Sequence, residues 1–323
     1  MELFHTEICD LFDIKYPVIL GGMAWAGEAE LVSAVSNAGG LGLIGAGNMP
    51  DENLSEVIRT VKTLTDKPFG VNIVPVADVS MQKRVKTIVN EGVSIVAAAF
   101  SDPTASLITE LHKNDIKVLA VVPSSKLAKR VEAEGADIVV ASGTEAGGHC
   151  GKVATLPLVP QIVDVVDIPV VACGGIGDAR GFLAALSLGA CGIQMGTRFL
   201  ATTECICHPD FKNAILNSSE EDTVVTGNIT GTTCRVMKNR LTKEWLKKED
   251  DEKTSKEEFE RLGLGKIRDA LIDGDVEFGS VVFGQIAGMI KEIKPVKQVI
   301  LEIIKGARDI YYQRLADQLQ GKR

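Results

Sequence analysis

Four histidines occur in the 323 residues, and their settings differ sharply. His149 lies inside GTEAGGHCGK, residues 143–152, where glycines on both sides let the backbone bend tightly and bring an imidazole up to a bound molecule. An imidazole titrating near its ordinary pKa of about 6.5 gives or takes a proton at neutrality, and a positioned acid or base contributes roughly 10²–10⁴-fold in rate. His5 falls in the N-terminal segment, and His112 falls in the helix-like stretch 105–113, away from the predicted strand ends. His208 lies beyond the eighth of the predicted barrel strands. Tyr16 precedes the first predicted strand, while Tyr311 and Tyr312 fall in the last predicted helix, so none competes as the proton carrier. A lone loop histidine is often only a surface residue; this one is read as catalytic or as a direct substrate contact.

Two glycine clusters suggest a phosphate. ACGGIGD contains Gly174 and Gly175, and QMGTRF runs from Gln194 through Met195, Gly196 and Thr197. Backbone N–H groups brought close by glycine can ring a dianion, and a following helix N-terminus adds its dipole. Tight turns alone are the plainer reading. A dinucleotide fingerprint is not met, because position 180, where a third glycine would stand, is arginine. Near the start, GGMAW supplies Gly22, Met23 and Ala24, and FGVNI supplies Asn72. A polarisable thioether and a carboxamide suit a flat heteroaromatic ring, although each could equally be core or a turn cap.

These residues need a scaffold that brings their loops together. Val- and Ile-rich runs recur at 18–23, 41–47, 69–74, 95–100, 117–122, 138–142, 169–174 and 192–199, with amphipathic segments such as 53–65 and 126–134 between them. Runs without polar alternation predict strands buried on both faces, hence a parallel sheet covered by helices. Eight strand–helix repeats predict an α/β fold, a (β/α)₈ TIM barrel, with an open doubly wound sheet as the alternative. In such a barrel the chemistry sits at the C-terminal strand ends, with phosphate commonly held after the last two. After residue 199 the pattern breaks. Short strands or turns are predicted at 224–226 and 232–236, and the charge run 243–261 predicts a solvated helical pair. A Gly-rich apolar stretch follows at 279–290, then a closing helix at 296–316. The predicted organisation is a barrel of residues 1–200 plus 279–323 and an inserted cap or substrate domain of residues 201–278.

Composition narrows the functional classes. A net charge of −8 and a pI near 5.2 argue against nucleic-acid binding and against a basic membrane patch. The longest uncharged stretch, 31–50, is interrupted by Asn37, Asn48 and glycines, and reads as helix, turn, strand and turn rather than a membrane span. Residues 1–10 are acidic and lack a secretory layout, and seven scattered cysteines predict free thiols in a reducing cytoplasm. Cys205-Ile-Cys207 is too short for a CxxC pair and no second pair accompanies it, so no metal site is predicted.

Taken together, YPVILGGMAW, KPFGVNI, EAGGHCGK, ACGGIGD, IQMGTRFLAT and GSVVFGQIAG resemble the 2-nitropropane dioxygenase-like flavoprotein family over nearly the whole chain. Its members include nitronate monooxygenases and the FMN-dependent enoyl-acyl-carrier-protein reductase of bacterial fatty acid synthesis, and GGMAW with GQIAG looks more like the reductase branch. The resemblance implies FMN as cofactor, with Gly22, Met23, Ala24 and Asn72 lining its ring. Gly147, Gly174, Gly175, Gln194, Met195, Gly196 and Thr197 would surround its phosphate tail. It makes His149 the functional histidine and Glu145 a polar neighbour; Ser142 stands where some relatives carry glutamine. It further implies NADH or NADPH as co-substrate, a homodimer, stimulation by a monovalent cation, and acyl carrier protein as partner. Lys238, Arg240, Lys243, Lys247 and Lys248 are the candidate docking residues. The expected reaction is hydride relay to the β-carbon of an enoyl thioester, with His149 supplying or directing the proton. Three alternatives remain: a nitronate monooxygenase using the same histidine as base, a phosphate-binding barrel without flavin, and a non-enzymatic flavin sensor whose charged cap meets a partner.

Overall fold

Short β-branched runs punctuated by glycine give short strands in the computed structural model, which describes residues 3–47, 49–74, 79–99 and 105–314. They are β1 (Val18–Leu20), β2 (Gly42–Gly45), β3 (Phe69–Ile73), β4 (Ile95–Ala99), β5 (Lys117–Val122), β6 (Ile138–Ser142), β7 (Gly148–His149), β8 (Val170–Cys173), β9 (Gly192–Met195), β10 (Thr223–Thr226) and β11 (Cys234–Met237). Eight of them form one parallel sheet in the order β1-β9-β8-β6-β5-β4-β3-β2. The Ile19–Leu41 bridge joins its two ends, with the Leu20 N–H on the Leu41 carbonyl at 2.9 Å and the Leu41 N–H on the Val18 carbonyl at 3.0 Å. The sheet is therefore a (β/α)₈ TIM barrel, and the open doubly wound alternative is excluded.

Alternation along each strand divides the apolar residues between two cores. Ile19, Leu43, Ala97, Leu119, Val140 and Val171 fill the barrel interior, where Ile8, Phe12 and Ile14 of the N-terminal segment also pack. Their neighbours, such as Val18, Leu20, Val71, Val118 and Val139, face the surrounding helices. Burial on both sides explains why the strands read as continuous apolar runs.

Two predicted strands overrun by three residues or more. The first ends at Leu20 rather than residue 23, and the last ends at Met195, with Thr197–Leu200 already helical. The Gly21 N–H still donates to the Met195 carbonyl at 2.9 Å, the last ladder bond between the two strands at the barrel mouth. The predicted strand end at Phe100, Asn48 within 31–50, and residues 315 and 316 of the closing helix lie outside the described residues.

Beyond the barrel the chain builds helix Pro209–Asn217, strands β10 and β11, and helices Arg240–Glu249, Lys256–Gly263 and Lys266–Leu271. The charge run does form two helices, started by Asn239 in a capping box and by Ser255 as N-cap. It is not solvated all round, however. Trp245 and Phe259 are buried with ring centroids 5.9 Å apart, and with Val236 and Leu241 they make a small core of their own. Phe211, Ile215, Ala270 and Leu271 instead pack into the barrel's outer core. Helix Val296–Asp309 then returns to the barrel, burying Val296, Val299, Ile300, Ile303 and Ala307. Among the described residues no helix is long and apolar enough to cross a membrane.

One connection differs from expectation. The sequence reads residues 143–152 as a loop, but Gly148 and His149 form the short strand β7, which completes a three-stranded sheet in the order β10-β11-β7. Cys234 stands opposite His149 and Arg235 opposite Gly148.

Candidate functional site

A cavity of about 270 Å³ opens at the C-terminal ends of the barrel strands, and all thirteen residues selected from the sequence line it: Gly22, Met23, Ala24, Asn72, Glu145, Gly147, His149, Gly174, Gly175, Gln194, Met195, Gly196 and Thr197. They come from five separate stretches of chain, which the barrel alone brings together.

Register sets part of the lining. Ser142 pairs with Cys173, and Cys173 with Gln194, so the ends of β6, β8 and β9 present three polar side chains side by side. Gln194 Nε2 donates to Cys173 Sγ at 3.6 Å. The Gln194 Oε1 atom is buried and has no hydrogen-bond partner among the described residues. A buried acceptor left this way carries a desolvation penalty of about 1–3 kcal/mol unless a ligand supplies the donor. Around it, Gly174 (φ 97°) and Gly175 (φ 69°) adopt left-handed backbone that a side chain would strain, so the turn after β8 requires glycine.

The segment 143–149 is tied down by Thr155. Both Glu145 carboxylate oxygens accept the Thr155 N–H at 3.0 Å, and Thr155 Oγ1 lies 2.9 Å from Glu145 Oε2 and 3.0 Å from the Gly174 carbonyl. The negative charge thus sits at the start of helix Thr155–Val163, where the helix dipole favours it. Glu145 borders the cavity, but its carboxylate holds the loop rather than pointing freely at a ligand. Thr197 is engaged in a similar way: its hydroxyl accepts the Gly284 N–H at 2.9 Å, while the Gln285 N–H donates to the Glu145 carbonyl at 3.0 Å. Residues 283–286 therefore clasp the two sides of the cavity.

His149 stands in the cavity wall with part of its surface reached by solvent. Desolvation by the surrounding walls lowers its pKa below the usual 6.5, because it disfavours the charged ring. Its neighbour Cys150 is buried, and burial pushes that thiol up, away from the reactive thiolate. Among the described residues no group of three or more His, Cys, Asp or Glu is disposed to hold a metal ion.

Several cavity residues escaped sequence reasoning. Ile267, Leu271, Val282 and Phe283 join Leu200 and Ile286 in an apolar part of the lining. GSVVFGQIAG was visible as a motif, but Ile267 and Leu271 belong to an amphipathic helix with no local signal of a site. Thr155 and Arg235 were also missed, because their partners lie far away in sequence.

Comparisons with known proteins cover most of the chain. The family model for nitronate monooxygenase matches residues 5–82 and 74–306. A Mycobacterium tuberculosis (3aS,4S,5R,7aS)-5-hydroxy-7a-methyl-1-oxo-octahydro-1H-indene-4-carboxyl-CoA dehydrogenase is 34% identical, over 94% of this chain and 96% of the relative. A probable nitronate monooxygenase of Staphylococcus saprophyticus is 33% identical, over 94% of this chain and 98% of its own. The solved structure of FabK from Thermotoga maritima superposes with a TM-score of 0.91 at 43% identity, covering 98% of this chain and 99% of that one.

Proposed function

The chain belongs to the nitronate monooxygenase family of oxidoreductases, and within it we propose an FMN-dependent, NADH- or NADPH-using reductase of the 2,3 double bond of enoyl thioesters. The acyl group would be carried on acyl carrier protein. The observation that carries this reading is the apolar lining from Leu200, Ile267, Leu271, Val282 and Phe283 in the same cavity as His149, which suits an acyl chain. The 43% identity with FabK supports the same branch.

The residues present fit FMN. The unpartnered Gln194 Oε1 offers an acceptor for a ring N–H. Gly22, Met23, Ala24 and Asn72 would line the ring, and Gly147, with Glu145 behind it, would border it. Gly174, Gly175, Gly196 and Thr197, with Met195, would surround the phosphate tail. When bound, FMN would supply hydride transfer from nicotinamide to the β-carbon. The apolar walls hold the acyl chain and exclude water. His149 in its imidazolium form delivers the proton from a ring nitrogen to the α-carbon and is left as neutral imidazole, and the Glu145–Thr155 pair keeps the histidine's loop in place. Residues 201–278 act as a cap that contributes Ile267 and Leu271 to the acyl-facing wall.

Carrier docking would rest on a reduced basic set. Arg240 is already paired with Glu277 at 2.7 Å and Lys248 with Glu258 at 2.9 Å, which leaves Lys238, Lys243 and Lys247 of the five. A cytoplasmic homodimer stimulated by a monovalent cation completes the proposal.

A second reading, nitronate monooxygenase, is favoured by the desolvation that disfavours the charged form of His149, which suits proton abstraction from a nitroalkane. The test is an absorbance spectrum of purified protein before and after anaerobic NADH, then after crotonyl thioester. Reoxidation by the thioester supports the reductase. Oxygen uptake with a nitronate and no NADH, without thioester turnover, overturns it, as does a colourless protein.

A further inference from the structure

We infer that Arg235 is the positioning residue for His149, gripping the histidine's loop from the cap. The inference rests on the reading of His149 as the proton-transferring residue. Arg235 lies on β11 and is only 7% exposed. Its Nε–H donates to the Thr144 carbonyl at 2.7 Å, at the beginning of the loop, and its Nη1–H donates to Thr223 Oγ1 on β10 at 2.8 Å. A buried guanidinium cannot shed its charge, so it holds its acceptors wherever the fold places them.

The loop is held along the same strand at its other end. Arg235 pairs with Gly148 and Cys234 with His149. One residue earlier on the cap, the Thr233 carbonyl accepts the Cys150 N–H at 3.1 Å, and Thr233 Oγ1 donates to the Cys150 carbonyl at 2.7 Å. A two-residue strand is too short to fix its own register. The Arg235 fork supplies what the short ladder lacks, anchoring Thr144 on one side of His149 while the ladder anchors Cys150 on the other. Thr223 in turn fixes the direction of the fork. A lysine at 235 would keep the charge and the stem but could not span both acceptors in one plane.

The experiment compares Arg235→Met, Arg235→Lys and the milder Thr223→Val with wild type in two ways. Hydrogen–deuterium exchange is read on a peptide covering 143–152, without substrate. Stopped-flow kinetics then separates reduction by NADH from reoxidation by crotonyl thioester. We expect exchange in 143–152 to quicken roughly tenfold in R235M and less in T223V, with the barrel strands unchanged. Reoxidation should slow by roughly tenfold to a hundredfold and reduction by far less, and R235K should recover only part of the rate. Unchanged exchange in 143–152, or equal losses in both half-reactions, overturns the inference. Faster exchange in a protein that turns over neither thioester nor nitronate upholds the grip and removes the proposed reaction instead.

Discussion

Gly22 lies so close to Asn72 that a methyl group on it would come within 2.1 Å of the Asn72 Cβ and 2.7 Å of its Nδ2. The end of β1 and the end of β3 therefore share one space that glycine alone leaves to the asparagine.

Gly22→Ala should push the Asn72 carboxamide off its position and cost about 1–3 kcal/mol in stability. Titration of apoprotein with FMN, followed by flavin fluorescence, should show weaker binding. Wild-type affinity in the Gly22→Ala protein would remove the pairing from the site.

Thr155→Val takes from Glu145 a hydroxyl donor at 2.9 Å and leaves its carboxylate with the backbone N–H alone. A loss of about 1–3 kcal/mol is expected in a denaturant melt. Glu145→Gln keeps the shape but removes the charge from the helix start, a smaller loss of about 0.3–1 kcal/mol.

The pH dependence has opposite signs for the two candidate reactions. Desolvation favours neutral His149, so the imidazolium exists only below a pKa that is itself under 6.5. As proton donor, the residue should make thioester reoxidation fall as pH rises through that value. As base, it should make nitroalkane deprotonation rise through it. His149→Ala should abolish whichever limb is present; a limb that survives the substitution belongs to another group.

Trp245 and Phe259 anchor a small core beyond the barrel, together with Val236 and Leu241. Trp245→Ala should remove about 3–5 kcal/mol from that region. Limited proteolysis should then cut between residues 218 and 265 much sooner, with the barrel fragment surviving; equal rates in mutant and wild type would count against a separate core there.

The barrel could be read from the sequence because each strand is buried on both faces and carries no polar alternation, as in VVAC at 170–173. The glycines after β8 and His149 within its Gly-flanked loop were legible for a related reason: their chemistry is local. Strand ends were not, since the apolar run continues past Leu20 and Met195 into residues that leave the ladder, such as Met23 and Phe199. Trp245 and Phe259 were masked by the charges between them, because a short amphipathic helix buries a narrow stripe. Arg235, Thr155 and Leu271 carried no local sign, because what makes each important is a partner distant in the chain.

The pairing of β7 with β11 also bears on the order in which this molecule is made. Arg235 and Thr144 are 91 residues apart, so a chain leaving the ribosome completes every barrel strand before the residues that fasten His149 have been synthesised. A nascent or truncated product ending near residue 220 would own the histidine without a settled place to keep it. A chimera that exchanges residues 201–278 with those of a relative must likewise carry 148–149 along, or the transplanted edge will meet a foreign seam.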